Sequence, residues 1–295
     1  MSPPVTLGHN ASMAPPSLIG RLVPGPVRAH LRRWRTAPTD PRALRVSYRA
    51  LPGLPDGGYD ASDNTHGTHL NESGDIRGLE EYIRTFDPEQ ELAQASVRDT
   101  LGFLHRHVAH RQGAEAHLLD VGCGIGRFAS LLRMPGSPTA RWRYTGVDRT
   151  DDIISACRRL HPADTFLATG NALHLPVPDH TMDVVLASSM LQYTGEAWRT
   201  ALAEMTRVTR RDVVITRLPL LEQTPSTHCE QTVRYGDRQD LHFLHVLNRQ
   251  AFESGVAAVG LRVVAREPGT EPMPIEGLME RVTTQAYLLE RRELD

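Results

Sequence analysis

The stretch His117–Leu132, HLLDVGCGIGRFASLL, decides the fold. An apolar run ends in Asp120, glycines follow at positions 122, 124 and 126, and an amphipathic segment resumes at Arg127. That order predicts a strand, a tight glycine loop and a helix. Gly122, Gly124 and Gly126 let the backbone take positive φ and let a ligand approach where a Cβ would clash. The helix start behind them offers free N–H groups. A dinucleotide-binding loop places its third glycine three residues after the second, whereas Gly126 comes only two after Gly124.

With Asp120 standing just before the glycines, this stretch resembles the first motif of the class I S-adenosylmethionine (SAM)-dependent methyltransferases, an acid followed by Gly-x-Gly-x-Gly. The resemblance implies SAM as cofactor in place of NAD, and a site formed by Asp120, Gly122, Cys123, Gly124 and Gly126. The next predicted strand, Trp142 to Val147, ends in Asp148 about twenty residues after Gly126, where an acid can accept bonds from both ribose hydroxyls, with Arg149 beside it. A helical pattern follows at Asp151 to Leu160, then a short strand at Thr165 to Thr169. Asn171-Ala172 resembles the family segment near the adenine amino group, where many members carry Asp. A fourth strand, Asp183 to Ser188, is apolar enough to be buried on both faces. Ser188 and the residues after it, Ser189 to Tyr193, are therefore expected to line the ligand site, which in open α/β sheets lies beyond the carboxyl ends of the strands.

Downstream, Gly195 to Arg210 reads as an amphipathic helix with Trp198, Leu202, Met205 and Val208 on one side, and Asp212 to Leu218 as a fifth parallel strand. A helix at Asn248 to Gly260 and strands at Leu261 to Arg266 and Val282 to Leu289 resemble the family's terminal antiparallel pair. The expected fold is α/β: a Rossmann-like, doubly wound, mostly parallel seven-stranded sheet with an antiparallel C-terminal strand. Residues 1–60, rich in Pro, Gly and Arg, read as a largely disordered or loosely packed extension. Residues 61–112 read as an N-terminal cap with helices broken near Asp87-Pro88, and residues 113–295 as the SAM-binding domain. The connection from Pro219 to Leu247 is too long for an ordinary loop and reads as a cover over the substrate. LQY at Leu191 to Tyr193, with RLPL at Arg217 to Leu220, resembles a poorly characterised branch of bacterial methyltransferases.

Composition narrows the function. A net charge of −2 over 295 residues argues against a polyanion-binding protein, so no nucleic-acid partner is expected. All 33 basic residues are arginine, which removes any lysine nucleophile or Schiff base. Cys123, Cys157 and Cys229 are too widely spaced for a disulfide framework or a Cys-x-x-Cys metal site, so reduced thiols and a cytoplasmic enzyme are the expectation. No stretch is long enough to span a membrane. Oligomeric state is not legible.

The SAM methyl group is already activated on a sulfonium, so transfer chiefly needs the acceptor held in line, with a base only where the acceptor must lose a proton. His228 is the candidate base. Tyr193 packs on the methionine end of SAM, orients the acceptor, or packs beneath the cover. Arg217, near the end of the fifth strand, can clamp a carboxylate or phosphate on the acceptor or pair with an acid of the insertion. Gln192, His66 and His69 complete the expected acceptor side. No metal site is expected, because His66 and His69 lack a carboxylate cluster with recognisable ligand spacing. No Asn/Asp-Pro-Pro-aromatic element follows the fourth strand, which disfavours base methylation on DNA, and no CxxxCxxC cluster supports radical chemistry. The expected activity is methylation of an oxygen or nitrogen of a small molecule, in bacterial specialised metabolism or surface-sugar modification. A SAM-binding enzyme of other chemistry and a non-catalytic partner of the same fold are the alternatives.

Overall fold

A computed structural model describes residues 45–51, 85–168, 171–235 and 238–292. Strand β1 is Arg45–Ala50, followed by a short helix α1 at Pro88–Glu91 and by α2 at Ala95–Phe103, which continues as one π turn and one 3-10 turn to Arg111. Then come β2 (His117–Val121), α3 (Arg127–Leu132), β3 (Arg143–Asp148), α4 (Asp151–Leu160), β4 (Thr165–Ala168) and β5 (Met182–Ser188). A 3-10 segment at Leu191–Ala197 leads into α5 (Trp198–Val208) and β6 (Thr209–Leu221). The chain ends with β7 (Thr227–Tyr235), β8 (Arg238–Asn248), α6 (Arg249–Ala258), β9 (Leu261–Met273) and β10 (Val282–Arg291).

Seven strands form the main layer in the order β4-β3-β2-β5-β6-β10-β9. β2 to β6 pair in parallel, and β10 runs antiparallel to both of its neighbours. The reason lies in the strand sequences. β5 buries side chains of both parities, Val185 and Ala187 toward one core and Val184 and Leu186 toward the other, as a strand sandwiched between helices must. One core packs α5 and α6 through Trp198, Leu202, Met205, Phe252 and Val256; the opposite core packs α2, α3 and α4 through Leu101, Phe128, Ile153 and Ile154. Asp87 caps α1 by accepting from the Glu89 amide with Pro88 at the first position, so the expected break falls there.

The structure departs from the sequence reading in two places. The connection read as a cover over the substrate is built of strands in its described residues. β6 runs on to Leu221, and β7 and β8 form a hairpin in the register His228↔His245. Their alternation explains it, since Cys229, Gln231 and Val233 are buried while the residues between them are more exposed. Arg45–Ala50, assigned above to a loosely packed extension, pairs with β7 along the hairpin edge from Arg45↔Arg234 to Ala50↔Cys229. Tyr48 and Ala50 supply the apolar side of that strand and pack with Leu221, Cys229 and Leu244 in a third, smaller core. The main sheet thus continues into a three-stranded antiparallel layer, joined where Leu220 and Leu221 pair with Leu247 and Asn248. β10 holds one edge of β6 at Leu220, so β8 takes the other edge, which β5 has left at Ser188. The added layer therefore rises from the carboxyl end of β5.

Gly255 of α6 is fixed by packing. A Cβ there would stand 2.2 Å from Trp198 Cη2, deep in the core. Helix propensity alone favours Ala over Gly by about 1 kcal/mol, and overpacking costs about 1–3 kcal/mol. Gly255→Ala is therefore expected to lower stability in denaturant unfolding; an unchanged or higher midpoint would show that Trp198 yields without cost.

Candidate functional site

The glycine loop is held by the end of β3. The amides of Gly122 and Cys123 both donate to the Val147 carbonyl, at 2.8 and 3.0 Å, and the Gly124 amide donates to Asp148 Oδ2 at 3.0 Å. All three glycines have positive φ, +73°, +53° and +73°. Their surroundings differ. A Cβ on Gly122 would collide with Met190 Cγ at 2.5 Å, and one on Gly126 would meet Phe166, so these two positions are required by the protein's own packing. Gly124 borders open space, with no atom within 4 Å of an added Cβ. The loop is therefore braced on both sides and vacant at its middle.

Two buried carboxylates flank that space. Asp148 accepts from Gly124 through Oδ2 and from the Thr150 amide through Oδ1 at 3.2 Å, so it fixes the loop and opens α4 together. Burial pushes its pKa up, while the two amides pull it down. The Thr150 side chain bonds the same carboxylate. Asp120 is 1 % exposed and accepts the Tyr144 hydroxyl at 2.7 Å. Desolvation pushes its pKa up to about 7, against the pull of the Tyr144 bond. The thiols of Cys123 and Cys157 both reach the Gly124 carbonyl, at 3.4 and 3.1 Å, and their mutual contact together with burial pushes the Cys123 thiol up.

At the end of β5, Ser188 Oγ and Gln192 Oε1 are buried and make no hydrogen bond. Gln192 instead donates from Nε2 to Ser189 Oγ at 3.1 Å, and Ser189 sits at φ +57°. Buried polar atoms are nearly always satisfied, so two orphans at one sheet edge mark where a ligand or water completes the structure. Open space at Gly124 and these acceptors together fit a SAM-type ligand, held by the loop, Asp148 and the β5 end. Arg149 is exposed beside Asp148. Asn171 is also exposed and turns its Oδ1 to the Leu173 amide at 2.9 Å, a local turn that leaves Ala172 half-buried.

The expected acceptor residues separate. Arg217, at φ +57°, lines a cleft of about 130 Å³ with Asp99, Thr100, Arg106 and Glu267 among its walls. Tyr193 donates its hydroxyl to Gln231 Oε1 on β7 at 3.1 Å, so it ties the hairpin to the Leu191–Ala197 segment. His228 stacks on His245 with ring centroids 4.4 Å apart, and both face Glu196. His66 and His69 lie outside the described residues. The expectation of no metal site rested on spacing along the chain; the fold brings Glu196, His228 and His245 together from three elements, with their donor atoms within 4.8 Å of one another. Glu196 and Tyr144 are the site residues that the sequence reading did not assign. A signal for the histidine pair was present: Gly236-Asp237 between two alternating runs is a hairpin signature, and it places positions 228 and 245 opposite each other.

The glycine loop, the acid at the end of β3 and the sheet order define a class I SAM-dependent methyltransferase domain, and residues 119–216 match the family described as a methyltransferase domain. SAM is the cofactor of this domain class. Two curated relatives are a malonyl-[acyl-carrier protein] O-methyltransferase of Serratia marcescens, 35% identical over 33% of this chain and 36% of that protein, and a fatty-acid O-methyltransferase of Mycolicibacterium smegmatis, 34% identical over 37% and 40%. The chain thus spans well under half the length of these relatives. Among solved structures, magnesium protoporphyrin IX methyltransferase from Synechocystis PCC 6803 with bound SAM superposes with a TM-score of 0.53 at 11% identity, over 80% of this chain and 100% of that one. The [4+2]-cyclase SpnF superposes with a TM-score of 0.53 at 15% identity, over 82% and 100%. Both show a shared fold.

Two outcomes follow from this geometry. Gly124→Val, whose Cβ meets no protein atom although φ +53° strains it, is expected to fold with reduced stability and to lose SAM binding in calorimetry, whereas Gly122→Ala loses stability through Met190; normal SAM binding by Gly124→Val would remove the loop from the site. Asp120 gives a pH signature. Its pKa is about 4 in the unfolded chain and about 7 in the folded protein. Between these values the native state holds a proton that the unfolded state has released. Stability therefore falls as pH rises through that window, and the loss is complete above about 7. Asp120→Asn removes this loss, so its melting temperature relative to the wild type should rise from pH 5 to pH 8. A difference that stays flat would mean that Asp120 is ionised throughout.

Proposed function

We propose that this protein transfers the methyl group of SAM to an oxygen or nitrogen of a small molecule. One observation carries the reading: the open position at Gly124 and the unpartnered Ser188 Oγ and Gln192 Oε1 converge on one sheet edge, beside a braced glycine loop and Asp148. In this role SAM supplies an electrophilic methyl group. The chain's part is to bind and to orient: the loop and Asp148 hold the cofactor, and buried walls exclude water from the transfer.

The acceptor in this reading occupies the cleft beside Thr216 and Arg217 of β6. Its walls carry both signs: Arg106 is paired with Glu267, and Arg217 is the cation placed to meet an anionic group of a polar metabolite. Relatives named as O-methyltransferases of malonyl-[acyl-carrier protein] and of fatty acids support an oxygen acceptor. A cytoplasmic place in specialised metabolism or surface-sugar modification, without nucleic-acid or membrane partners, agrees with the near-neutral charge and the reduced thiols. Among the described residues no helix is long and apolar enough to cross a membrane.

S-adenosylhomocysteine release, screened across carboxylate-bearing and hydroxyl-bearing acceptors, tests the reading. With an acidic acceptor, Arg217→Gln is expected to lower kcat/KM about tenfold to a hundredfold, the worth of a charge-assisted hydrogen bond, and to leave SAM affinity unchanged. Full activity in this variant would place the acceptor elsewhere, and SAM binding without turnover on any acceptor would overturn methyl transfer.

A further inference from the structure

The hairpin carries a cluster that methyl transfer does not use. His228 of β7 and His245 of β8 are directly opposite in register, and both rings turn toward the Leu191–Ala197 segment. There Glu196 Oε1 lies 3.4 Å from His228 Nε2 and 3.7 Å from His245 Nε2. The histidine side chains are 13 % and 6 % exposed, while Glu196 is 66 % exposed and closes the cluster from the solvent side.

The proton on His245 is fixed by its surroundings. Its Nδ1 lies 3.2 Å from the Gly195 carbonyl, an acceptor only, so Nδ1 carries a hydrogen and donates it. In the neutral ring Nε2 then presents a lone pair toward the Glu196 carboxylate. Gly195 is shaped for this contact. At φ +55° and ψ −134° it adopts a conformation open essentially to glycine, in the middle of a 3-10 segment. A histidine whose Nδ1–H is held by a backbone carbonyl while Nε2 faces outward is the usual arrangement of a metal ligand and its outer support.

We propose that Glu196, His228 and His245 bind a divalent first-row transition-metal cation of the zinc type. Donors about 2.0–2.1 Å from a tetrahedral ion stand about 3.3–3.4 Å apart, close to the two carboxylate–imidazole separations. Two imidazoles with one carboxylate select such a cation over Mg²⁺ or Ca²⁺, which take oxygen donors. Desolvation and the neighbouring His245 lower the His228 pKa, which favours the neutral, ligating ring. Binding tilts the stacked rings apart to bring both nitrogens onto the ion. Three protein ligands leave one position open toward solvent, as in catalytic zinc sites. His228 is then a metal ligand, not a base, and the site stands whether or not the protein transfers methyl groups.

Cobalt(II) is the probe, added to the full-length protein after dialysis against a chelator. One equivalent is expected to give the visible d–d bands of a four- or five-coordinate ion, displaced by Zn²⁺, and Zn²⁺ is expected to shift the ring ¹⁵N resonances of His228 and His245. Glu196→Ala, at a solvent-facing side chain, and His228→Gln should each weaken binding at least tenfold, since loss of merely an outer partner costs about 10–100-fold. Circular dichroism confirms that each variant folds, and the ring resonances of the unaltered protein decide the matter if one does not. Absence of stoichiometric uptake, a thiolate charge-transfer band, or full affinity in both variants would overturn the assignment, the last pointing to histidines elsewhere in the chain. Ring shifts that follow pH but not metal would show that the cluster holds only a proton.

Discussion

The hydrogen bond from the Gly124 amide to Asp148 Oδ2 is the constraint on which the rest of the site depends. A loop with three positive-φ glycines has many conformations open to it, and a ligand that had to select one would lose affinity for the ordering. Here the ordering is done by neighbouring strands. Backbone amides 122 and 123 dock on Val147, amide 124 docks on Asp148, and the thiols of Cys123 and Cys157 hold the carbonyl of Gly124. The register β2↔β3, which sets Asp120 against Gly146 and Val121 against Val147, is what brings the loop beside Asp148. Gly146 is part of the same arrangement, because a Cβ there would stand 2.8 Å from Cys123 Sγ and from Phe166. The sheet thus arrives at the ligand already organised.

The two acids divide the work by their partners. Asp148 is met by amide donors, which stabilise the anion and oppose the effect of burial. Asp120 has the single Tyr144 hydroxyl and lies near the charge of Asp148, so burial prevails and its proton is retained to near neutrality. Two ionised carboxylates so close would repel each other in a low-dielectric wall. Keeping one acid readily protonated lets both be buried there, and a ligand cation beside Asp120 would shift the balance back toward the anion.

Much of the fold was legible because local pattern and tertiary role coincide there. Asp151–Leu160 was read with its bounds intact, since Asp residues open it, Arg residues close it and Ile153, Ile154 and Cys157 mark one buried face. The glycine loop and Asp148 were legible for the same reason: the positions lie close in sequence and their spacing is the motif. What was not legible is what long-range pairing creates. β1 is six residues whose role depends wholly on β7, far along the chain; the alternation of Val46, Tyr48 and Ala50 is a local strand signal, but nothing local names its partner. Arg217 was expected at a strand end, but β6 runs on beyond it because β10 and β8 supply partners. The clustering of Glu196 with two histidines needs both the hairpin register and its docking on the 3-10 segment. The Gly236-Asp237 signature supplies the first, and no short motif supplies the second.

That docking explains why residues 188–197 carry so much. At one end the segment leaves β5 with Ser189 at positive φ and sets Met190 against Gly122, so any shift of the segment presses on the glycine loop. At the other end Gly195 turns its carbonyl to His245, and Tyr193 between them bonds Gln231. Ten residues therefore touch the cofactor loop, the orphaned acceptors of Ser188 and Gln192, and the base of the hairpin. β8 joins the sheet where β5 stops, and β5 stops where the chain turns at Ser189, between those two acceptors. The added layer and the ligand edge consequently share one boundary, and a cation bound at Glu196 would brace that boundary at the end opposite to the one where Asp148 braces the loop.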